Sequence, residues 1–387
     1  MKSGTRKCVI AVAMLAAGLA YARRPLGQGP YASSRSEKNG KIIEFDVPGA
    51  STSPGLGTQA FANNDWGAVV GFYTDANIVP HGFLRLPNGK IISFDAPGAG
   101  LAAGADQGTV AYSINDWGEI AGQFEDPNNV FHGFLRHADG SFVTIDPPGT
   151  GTSANQGAVG TANINNRGSV AGYFVDGNFQ PHGFIRTRKG EFTVFDVKGA
   201  AGGTVICLET CLNDEGAVTG WYFDANGTGH GFVRDPEGNI STFDGPSENG
   251  SPTVFTLGAS INAEGEVTGY FLDSNFVAHS YLRKPNGKII TLDDPSASTA
   301  AGEGTAAFSL NFFGAVTGEY NDAASAMHGF VRSPKGNYKT IDAPGAGPGA
   351  GQGTRPSTNN AQGQVTGWYV DGNNLNHGFV WTCDDDD

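Results

Sequence analysis

A histidine recurs along this chain at nearly constant intervals, and its distance in sequence from two other residues does not change. Seven histidines, most of them in the tripeptide His-Gly-Phe, form this set: His81, His132, His182, His230, His279, His328 and His377. An asparagine precedes each by 17 residues: Asn64, Asn115, Asn165, Asn213, Asn262, Asn311 and Asn360. An aspartate follows each of the first six by 14 residues: Asp95, Asp146, Asp196, Asp244, Asp293 and Asp342. Such fixed spacing indicates copies of one structural repeat of about 49 residues.

Each copy contains four short segments with the composition of β-strands. The first strand leads into the asparagine, and a tight turn that ends in glycine follows, as at residues 109–118. The second strand passes through a glycine and a pair of aromatic residues, as at 170–174, and the third begins with the histidine, as at 182–186. A short turn with glycine opens the fourth strand, as at 87–94. Because glycine supplies the positive φ that hairpin turns require, the repeat predicts an all-β fold with four strands per copy.

The length of the repeat varies in one segment only. From each fourth-strand aspartate to the next asparagine the gap ranges from 17 to 20 residues, whereas the other gaps are constant. This segment is also the longest connection in the repeat. In a β-propeller the outermost strand of one blade crosses to the innermost strand of the next, and the variable segment fits that crossing. The strands of each repeat are therefore predicted to run from inner to outer.

The last copy has no fourth strand, and a matching strand stands at the other end of the chain. The sequence stops at Asp387, soon after His377. Residues 39–50, NGKIIEFDVPGA, match the fourth strand of the other copies, with Asp46 in the position of the aspartate. A ring of blades has no free edge only if its two ends pair. The sequence therefore predicts a seven-bladed β-propeller over residues 39–381, with four strands per blade and the last blade closed by the N-terminal strand.

Residues 1–22 have the pattern of a secretory signal peptide. A positively charged start precedes a short apolar run, and residues 20–22, Ala-Tyr-Ala, form a small-x-small cleavage site. We therefore expect a secreted protein, periplasmic or extracellular, with a linker at 23–38 and an acidic tail at 382–387. No membrane span is expected in the mature chain. An uncleaved anchor is the alternative, since two arginines follow the cleavage site directly.

Charge and motif content narrow the classes of partner. The formal net charge is −14, and nucleic acids and anionic membranes are bound through basic patches, so nucleic acid is not expected as a partner. A glycine-rich phosphate loop, a nucleophile elbow and a zinc-binding helix motif are all missing from the sequence. No cofactor is therefore predicted. The sequence leaves the partner unknown, with a glycan or a protein as the candidates.

Three cysteines follow the predicted cleavage site. Cys207 and Cys211 would lie about 13 Å apart on a straight strand, which is too far for a disulfide. They can pair only if the chain bends between them, and the sequence leaves both states open. No further ligand has the spacing for a metal site with this pair. The state of Cys383 is likewise left open.

The repeat resembles that of the HAF repeat family of bacterial extracellular propeller-like proteins. The resemblance covers residues 39–381 and is carried by the His-Gly-Phe tripeptides and by the N-x-x-G-x-[VI]-x-G stretches that precede them. Two positions depart from the pattern: His279 is followed by Ser-Tyr, and Trp381 replaces an arginine that the other copies share. The resemblance implies a propeller fold and does not imply a particular activity.

The histidines and aspartates have two interpretations. A repeated histidine–aspartate hydrogen bond would form a structural clasp that ties neighbouring strands together, and the presence of the pair in every repeat favours this role. The predicted clasp consists of the seven histidines and their six aspartates, with Asp46 as the partner of His377. A metal site is not predicted. The Asp-x-Asn loops between the second and third strands resemble calcium loops, but they lack a later bidentate glutamate.

The loop tips vary between copies, and Phe179 and Phe276 are the aromatic residues among them. Variable tips on a constant scaffold are where ligand binding is encoded. Both side chains are therefore candidate ligand-binding residues, on the face that also carries the crossing segments. The alternative is that both rings fold back onto their own blades.

Three functions from different classes fit these features. A secreted, non-enzymatic binding or envelope-associated propeller is favoured, because the repeats are nearly uniform and no catalytic residue can be named. A polysaccharide hydrolase or lyase acting at the axial cleft is the alternative, and its acids would come from the non-repeated glutamates Glu119, Glu209, Glu266, Glu303 and Glu319. Of these, Glu119 and Glu266 are expected to be solvent-exposed on the opposite face. A calcium-stabilised structural protein is the third.

Overall fold

The computed structural model describes residues 40–383, except Asp106, Glu209 and Asn249. The predicted signal peptide and linker, and residues 384–387 of the predicted tail, lie outside this range. Within it the regular secondary structure consists of β-strands without any helix. It follows that no helix of the described residues is long and apolar enough to cross a membrane.

The strands are short and follow one another at regular intervals. They are β1 (Lys41–Phe45), β2 (Thr58–Asn63), β3 (Val69–Thr74), β4 (Pro80–Arg85), β5 (Ile91–Phe94), β6 (Thr109–Ile114), β7 (Ile120–Glu125), β8 (Phe131–Arg136), β9 (Phe142–Ile145), β10 (Asn163–Ile164), β11 (Val170–Val175), β12 (Pro181–Arg186), β13 (Phe192–Phe195), β14 (Thr204–Ile206), β15 (Val218–Phe223), β16 (Gly229–Arg234), β17 (Ile240–Phe243), β18 (Thr253–Ile261), β19 (Val267–Asp273), β20 (Ala278–Arg283), β21 (Ile289–Thr291), β22 (Thr305–Leu310), β23 (Val316–Asn321), β24 (Met327–Arg332), β25 (Tyr338–Ile341), β26 (Gly353–Asn359), β27 (Val365–Val370) and β28 (Asn376–Thr382).

Consecutive strands pair antiparallel in groups of four. The strands β2 to β5, β6 to β9 and β10 to β13 form separate four-stranded sheets. The strands β14 to β21 form one eight-stranded sheet, and β22 to β28 with β1 form another. Each eight-stranded sheet is joined at its middle by a single parallel residue pair, Gly229 with Phe255 in one and Met327 with Gly353 in the other. On either side of these junctions the four-stranded antiparallel pattern returns.

The two ends of the described chain share one sheet. β1 pairs antiparallel with β28 over Lys41–Phe45, with Phe45 opposite Gly378. This is the pairing predicted from the match of residues 39–50 to a fourth strand. It leaves β28 without an open edge.

Close packing across the third and fourth strands explains the glycine of the His-Gly-Phe tripeptide. A Cβ atom on Gly183 would lie 2.8 Å from the ring of Phe195, which belongs to the fourth strand of that sheet. A Cβ on Gly378 would lie 2.6 Å from the ring of Phe45 in the same way. Any side chain at these positions would displace the ring. The phenylalanine that follows each glycine is fully buried, as Phe184 and Phe379 show.

The repeated asparagines link the sheets into a ring. Six of them donate a hydrogen bond from Nδ2 to the backbone carbonyl of the next asparagine, at 2.8–3.2 Å: Asn64 to Asn115, Asn115 to Asn165, Asn165 to Asn213, Asn213 to Asn262, Asn311 to Asn360 and Asn360 to Asn64. The bond from Asn360 to Asn64 joins the last repeat to the first and so closes the ring. Asn262 is the exception, and its Nδ2 donates to Glu266 of its own turn.

Candidate functional site: the central channel

The repeated histidine contacts the aspartate of its own sheet in every repeat. Nδ1 lies 2.6–3.1 Å from a carboxylate oxygen in the pairs His81–Asp95, His132–Asp146, His182–Asp196, His230–Asp244, His279–Asp293, His328–Asp342 and His377–Asp46. The last pair joins residues from the two ends of the chain. Each ring also stacks on an aromatic side chain of the second strand, as His377 does on Tyr369 at a centroid distance of 4.9 Å. The arrangement ties the second, third and fourth strands together at one end of each sheet.

A second aspartate approaches the other ring nitrogen in most repeats. Nε2 lies 3.5–3.9 Å from the loop aspartate in the pairs His81–Asp75, His132–Asp126, His182–Asp176, His230–Asp224, His328–Asp322 and His377–Asp371. In the remaining repeat the Nε2 of His279 is buried without a hydrogen-bond partner. The hydrogen bonds that His279 and His328 donate to the carboxylates of Asp293 and Asp342 raise the pKa of the two histidines. These two rings therefore hold a proton more readily than free imidazole does.

The loops that resemble calcium loops are closed by their own backbone. Oδ1 of Asp75 accepts hydrogen bonds from the N–H groups of Asn77 and Val79, at 2.8 and 2.9 Å, and its Oδ2 accepts one from the Asn77 amide. Burial alone would raise the pKa of Asp75, but these donors outweigh it and the pKa lies below its ordinary value. Both oxygens thus cap the turn. Among residues 40–383, as far as they are described, no group of three or more His, Cys, Asp or Glu side chains is placed to hold a metal ion.

The two candidate aromatic loop tips differ in their surroundings. Phe179 and Phe276 both have positive φ, at 63° and 60°. Phe179 is partly buried and packs against the core cluster that contains Trp221 and Phe232. Phe276 is 59% exposed. Of the pair, Phe276 is the one that leaves its ring available to a ligand.

Aromatic side chains line the centre of the ring. Phe61 of β2 contacts Phe72 of its own sheet, Tyr112 of the next repeat and Trp368 of the preceding one, with centroid distances of 5.5, 5.5 and 5.6 Å. A side chain that touches repeats on both sides lies close to the axis of the ring. We refer to the space enclosed by the first strands as the central channel.

One charged pair interrupts this aromatic wall. The guanidinium of Arg355 donates to both carboxylate oxygens of Glu319, from Nε at 2.9 Å and from Nη2 at 3.2 Å. The two side chains are only 13% and 12% exposed. The Arg355 guanidinium also lies 5.2 Å from the centre of the Trp368 ring, within the range of a cation–π contact. Glu319 belongs to β23 and Arg355 to β26, so the pair bridges two repeats.

The corresponding positions in the other repeats are uncharged: most are apolar or aromatic, and Gln123 and Gln59 are polar amides. Glu319 stands opposite Gly329 in β24, as Trp221 stands opposite Gly231 in β16. Trp221 and Leu257, which take the places of Glu319 and Arg355 at another junction, share one buried apolar cluster. The fold therefore accepts an apolar contact at this place, and the charged pair is a departure from the repeat.

A cleft runs from the loop surface down to the charged pair. Its walls include Phe276, Glu303, Tyr270, Phe308, Glu319 and Arg355. Phe276 and Glu303 stand at the mouth, because they belong to the loops that precede β20 and β22. Glu303 is hydrogen-bonded to the hydroxyl of Ser325. The cleft therefore combines exposed aromatic surface, two carboxylates and one guanidinium.

The expectation that Glu119 and Glu266 are solvent-exposed is wrong. Glu119 is 7% exposed and accepts a hydrogen bond from Asn115, and its other oxygen lies 3.2 Å from Nδ1 of His137. The Glu266 side chain is 15% exposed and pairs with Lys284. Both carboxylates are partnered away from the cleft, and Arg188 of the next repeat also lies 3.7 Å from Glu119. Glu209, the remaining candidate acid, lies outside the described residues.

The chain bends between Cys207 and Cys211, and the two form a disulfide with their Cα atoms 5.9 Å apart. The bend is possible because β14 ends at Ile206, before the first cysteine. Both cysteines are buried in a core cluster. Cys383 is a free thiol on the surface.

A closed ring of four-stranded antiparallel sheets, with first strands lining a central channel, defines the β-propeller class. Comparison with solved structures agrees. Streptogramin B lyase aligns with a TM-score of 0.53 at 14% identity, over 90% of this chain and 99% of its own. The BP39L lectin from Burkholderia pseudomallei aligns with a TM-score of 0.50 at 12% identity, over 89% of this chain and 96% of its own. A six-bladed fungal lectin from Aleuria aurantia reaches only 0.40, which is too low to bear on the number of blades. No protein-family model and no curated protein matches the chain.

Proposed function

We propose that this protein is a secreted, non-enzymatic binding propeller of seven blades that takes a glycan at the cleft above the central channel. The observation that carries the proposal is the pair of Glu319 and Arg355, placed where the other repeats have uncharged side chains. A carboxylate or a guanidinium can form two parallel hydrogen bonds. Each group can therefore bind two adjacent hydroxyl groups of a sugar at once. Aromatic rings beside them, such as Phe308 and Phe276, offer flat apolar faces for the C–H side of the ring.

Seven blades follow if each eight-stranded sheet is divided at its single-residue parallel junction. The division gives four antiparallel strands on each side, as in the separate sheets. Secretion is supported by the signal-peptide pattern at residues 1–22, and a place in the HAF repeat family by the repeat itself. Class averages from electron microscopy, viewed along the ring axis, test the blade number. The fold likeness to a lectin and to a lyase does not choose between binding and catalysis.

A glycan array probed with the mature protein, residues 23–387, tests the proposal directly. Any glycan that binds is then measured by isothermal titration calorimetry with the Glu319→Gln variant. This change keeps the shape of the side chain and removes the charge. We expect affinity to fall at least about tenfold, since a hydrogen bond to a charged group contributes about 1.5–3 kcal/mol.

The chain offers a matched control at the equivalent position of another repeat. Gln123 stands opposite Gly133 in the same register, and Gln123→Ala should leave glycan affinity unchanged. The proposal fails if no glycan on the array binds, or if the two variants weaken binding equally.

A second candidate, hydrolysis or elimination of a polysaccharide, is favoured by one observation. Glu303 and Glu319 line the same cleft, and glycoside hydrolysis uses two carboxylates that flank the scissile bond. If the protein is such an enzyme, a bound polysaccharide is shortened with time and Glu303→Gln abolishes the shortening. If it is a binding module, the polysaccharide stays intact, as size-exclusion chromatography of the recovered glycan would establish.

A further inference from the structure

The end of the ring opposite the cleft carries a second unusual surface. Each first strand ends in a tight turn, and these turns surround the axis at the far end of the channel, as Asn64–Gly67 and Asn311–Gly314 do. The asparagine hydrogen bonds hold the turns in ring order. We call the exposed second and third residues of these turns the turn surface. It is separated from the cleft by the full length of the first strands, such as β22.

Four large aromatic side chains project from the turn surface into solvent. Trp66 is 72% exposed, Trp117 66%, Phe312 58% and Phe313 64%. Trp66 belongs to the first repeat, Trp117 to the second, and Phe312 and Phe313 to the sixth. The hydrogen bonds Asn311 to Asn360, Asn360 to Asn64 and Asn64 to Asn115 place these repeats on one continuous arc of the ring. Exposed aromatic groups so concentrated mark a surface that binds a partner.

Carboxylates converge beside this arc. Oδ1 of Asp65 accepts the N–H of Ala361, and Oδ1 of Asp116 accepts the N–H of Asp65, at 2.8 and 2.9 Å. In the same way, Oδ1 of Asp214, two repeats beyond Asp116, accepts the N–H of Asn166. Burial raises the pKa of Asp65, and the negative charges of Asp116 and Asp214 raise it further, against the N–H of Ala361. The neighbouring carboxylates therefore repel one another, and a bound cation would relieve that repulsion.

Few positive charges balance these carboxylates within the turns. Among the second and third residues of the turns, Arg167 is the cation, and it lies 3.9 Å from Glu215 of the next turn. Glu264 adds a further exposed carboxylate. The outer turns that join third and fourth strands carry charges of both signs. The centre of the turn surface is thus acidic, and its rim on one side is aromatic.

We propose that the turn surface is a docking site for a basic segment of a protein partner, with arginine or lysine side chains directed to the carboxylates around Asp65. Their charged heads would lie between the carboxylates of Asp65 and Asp116 and the rings of Trp66 and Trp117, and their aliphatic stems would lie along Phe313. Cation–π contacts with tryptophan strengthen such binding. A second copy of this chain is a poor occupant, because it carries the same net charge of −14.

The probe for this surface is a hexa-arginine peptide with blocked ends, titrated into the mature protein by isothermal titration calorimetry. We expect saturable binding that weakens as salt is added. The double variant Trp66→Ala, Trp117→Ala should weaken binding by about fivefold or more, from two cation–π contacts of about 0.5–1 kcal/mol each. Asp65→Asn keeps the acceptor for Ala361 and removes one charge. It should weaken binding with no loss of melting temperature.

Matched variants separate this site from general attraction to an acidic protein. Phe276→Ala removes an exposed aromatic ring from the opposite face, and Glu237→Gln removes an exposed charge from an outer turn. Neither should change the affinity for hexa-arginine. The proposal is overturned if these controls weaken binding as much as the turn-surface variants do, or if a blocked hexaglutamine peptide binds equally well. Failure of the glycan experiments would leave this result unaffected, since the two surfaces lie at opposite ends of the strands.

Discussion

Replacing Arg355 by alanine should destabilise the protein far more than replacing both members of the Glu319–Arg355 pair with methionine. The single variant leaves the carboxylate of Glu319, whose side chain is 12% exposed, without its guanidinium. Removing one partner of a buried ion pair costs about 3–5 kcal/mol. The expected loss lies near the lower end, about 3 kcal/mol, because the cleft lets water reach the carboxylate.

The double variant Glu319→Met, Arg355→Met removes both charges and keeps the volume of both side chains. Buried ion pairs replaced in this way are often neutral or more stable by about 1–4 kcal/mol. The contact of Trp221 and Leu257 at another junction shows that this place in the ring tolerates apolar packing. We therefore expect a free energy of unfolding within about 1 kcal/mol of the parent, or higher.

Urea denaturation followed by tryptophan fluorescence measures these differences, and glycan binding is measured on the same samples. If the pair serves ligand binding, the double methionine variant is stable and does not bind. A double variant as unstable as Arg355→Ala would refute the reasoning, since it would mean that the charges themselves hold the two repeats together.

Three further outcomes are expected. Asn213→Ala should cost about 1 kcal/mol or more in urea denaturation, since it removes the bond that caps its turn and the bond to the carbonyl of Asn262 in the next repeat, and an unchanged free energy of unfolding would count against the ring of asparagines. The raised pKa values of His279 and His328 imply that protonation of these rings stabilises the fold. This contribution is complete below pH 6.5 and is lost as the pH rises through the raised pKa values, so the melting temperature should fall over that range. A melting temperature that climbs instead would contradict this prediction. Deleting residues 23–50 removes β1 and exposes the edge of β28, so the protein should aggregate or lose its cooperative melt, and a truncated monomer that melts like the parent would argue against closure by β1.

The scaffold was accessible from the sequence because a closed ring repeats the same contacts in every unit. The spacing that pairs His81 with Asp95 holds in each repeat, and it identified Asp46 as the partner of His377 from the far end of the chain. The order of the strands and the pairing of β1 with β28 follow from the same constant spacing. Because every repeat makes the same contacts, a contact between residues far apart in the sequence can be predicted from the spacing of the repeat.

The ring of asparagines was not predicted, although the asparagines marked the repeat. Their acceptor is a backbone carbonyl of the neighbouring repeat, and every residue has one, so no sequence pattern identifies it. The exception at Asn262 is equally hidden from the sequence. Glu266 accepts its amide four residues on, but Glu119 stands in the same position and Asn115 donates both to it and to the next repeat.

The burial of Glu119 and Glu266 does not follow from either residue alone. Each carboxylate contacts a basic side chain 18 residues further along the chain, namely His137 and Lys284. His137 is the single histidine outside the repeated set. A glutamate at this position with a basic residue 18 positions further on is therefore the sequence feature that indicates a partnered carboxylate.

The pair of Glu319 and Arg355 differs from these two pairs in a way that bears on function. Glu119 with His137, and Glu266 with Lys284, each join strands within a single sheet, and each carboxylate also bonds to the asparagine of its own turn. Their contribution is local and structural. Glu319 and Arg355 instead cross between two sheets at the wall of the channel, beside aromatic rings that remain partly exposed, at a junction where the other repeats carry no charged side chain. Since a buried ion pair seldom exceeds an apolar contact in stability, stability gives no reason for these charges at this place. Recognition of a polar ligand in the cleft would give such a reason, and we therefore propose the binding site in the channel rather than at the repeated histidines and aspartates.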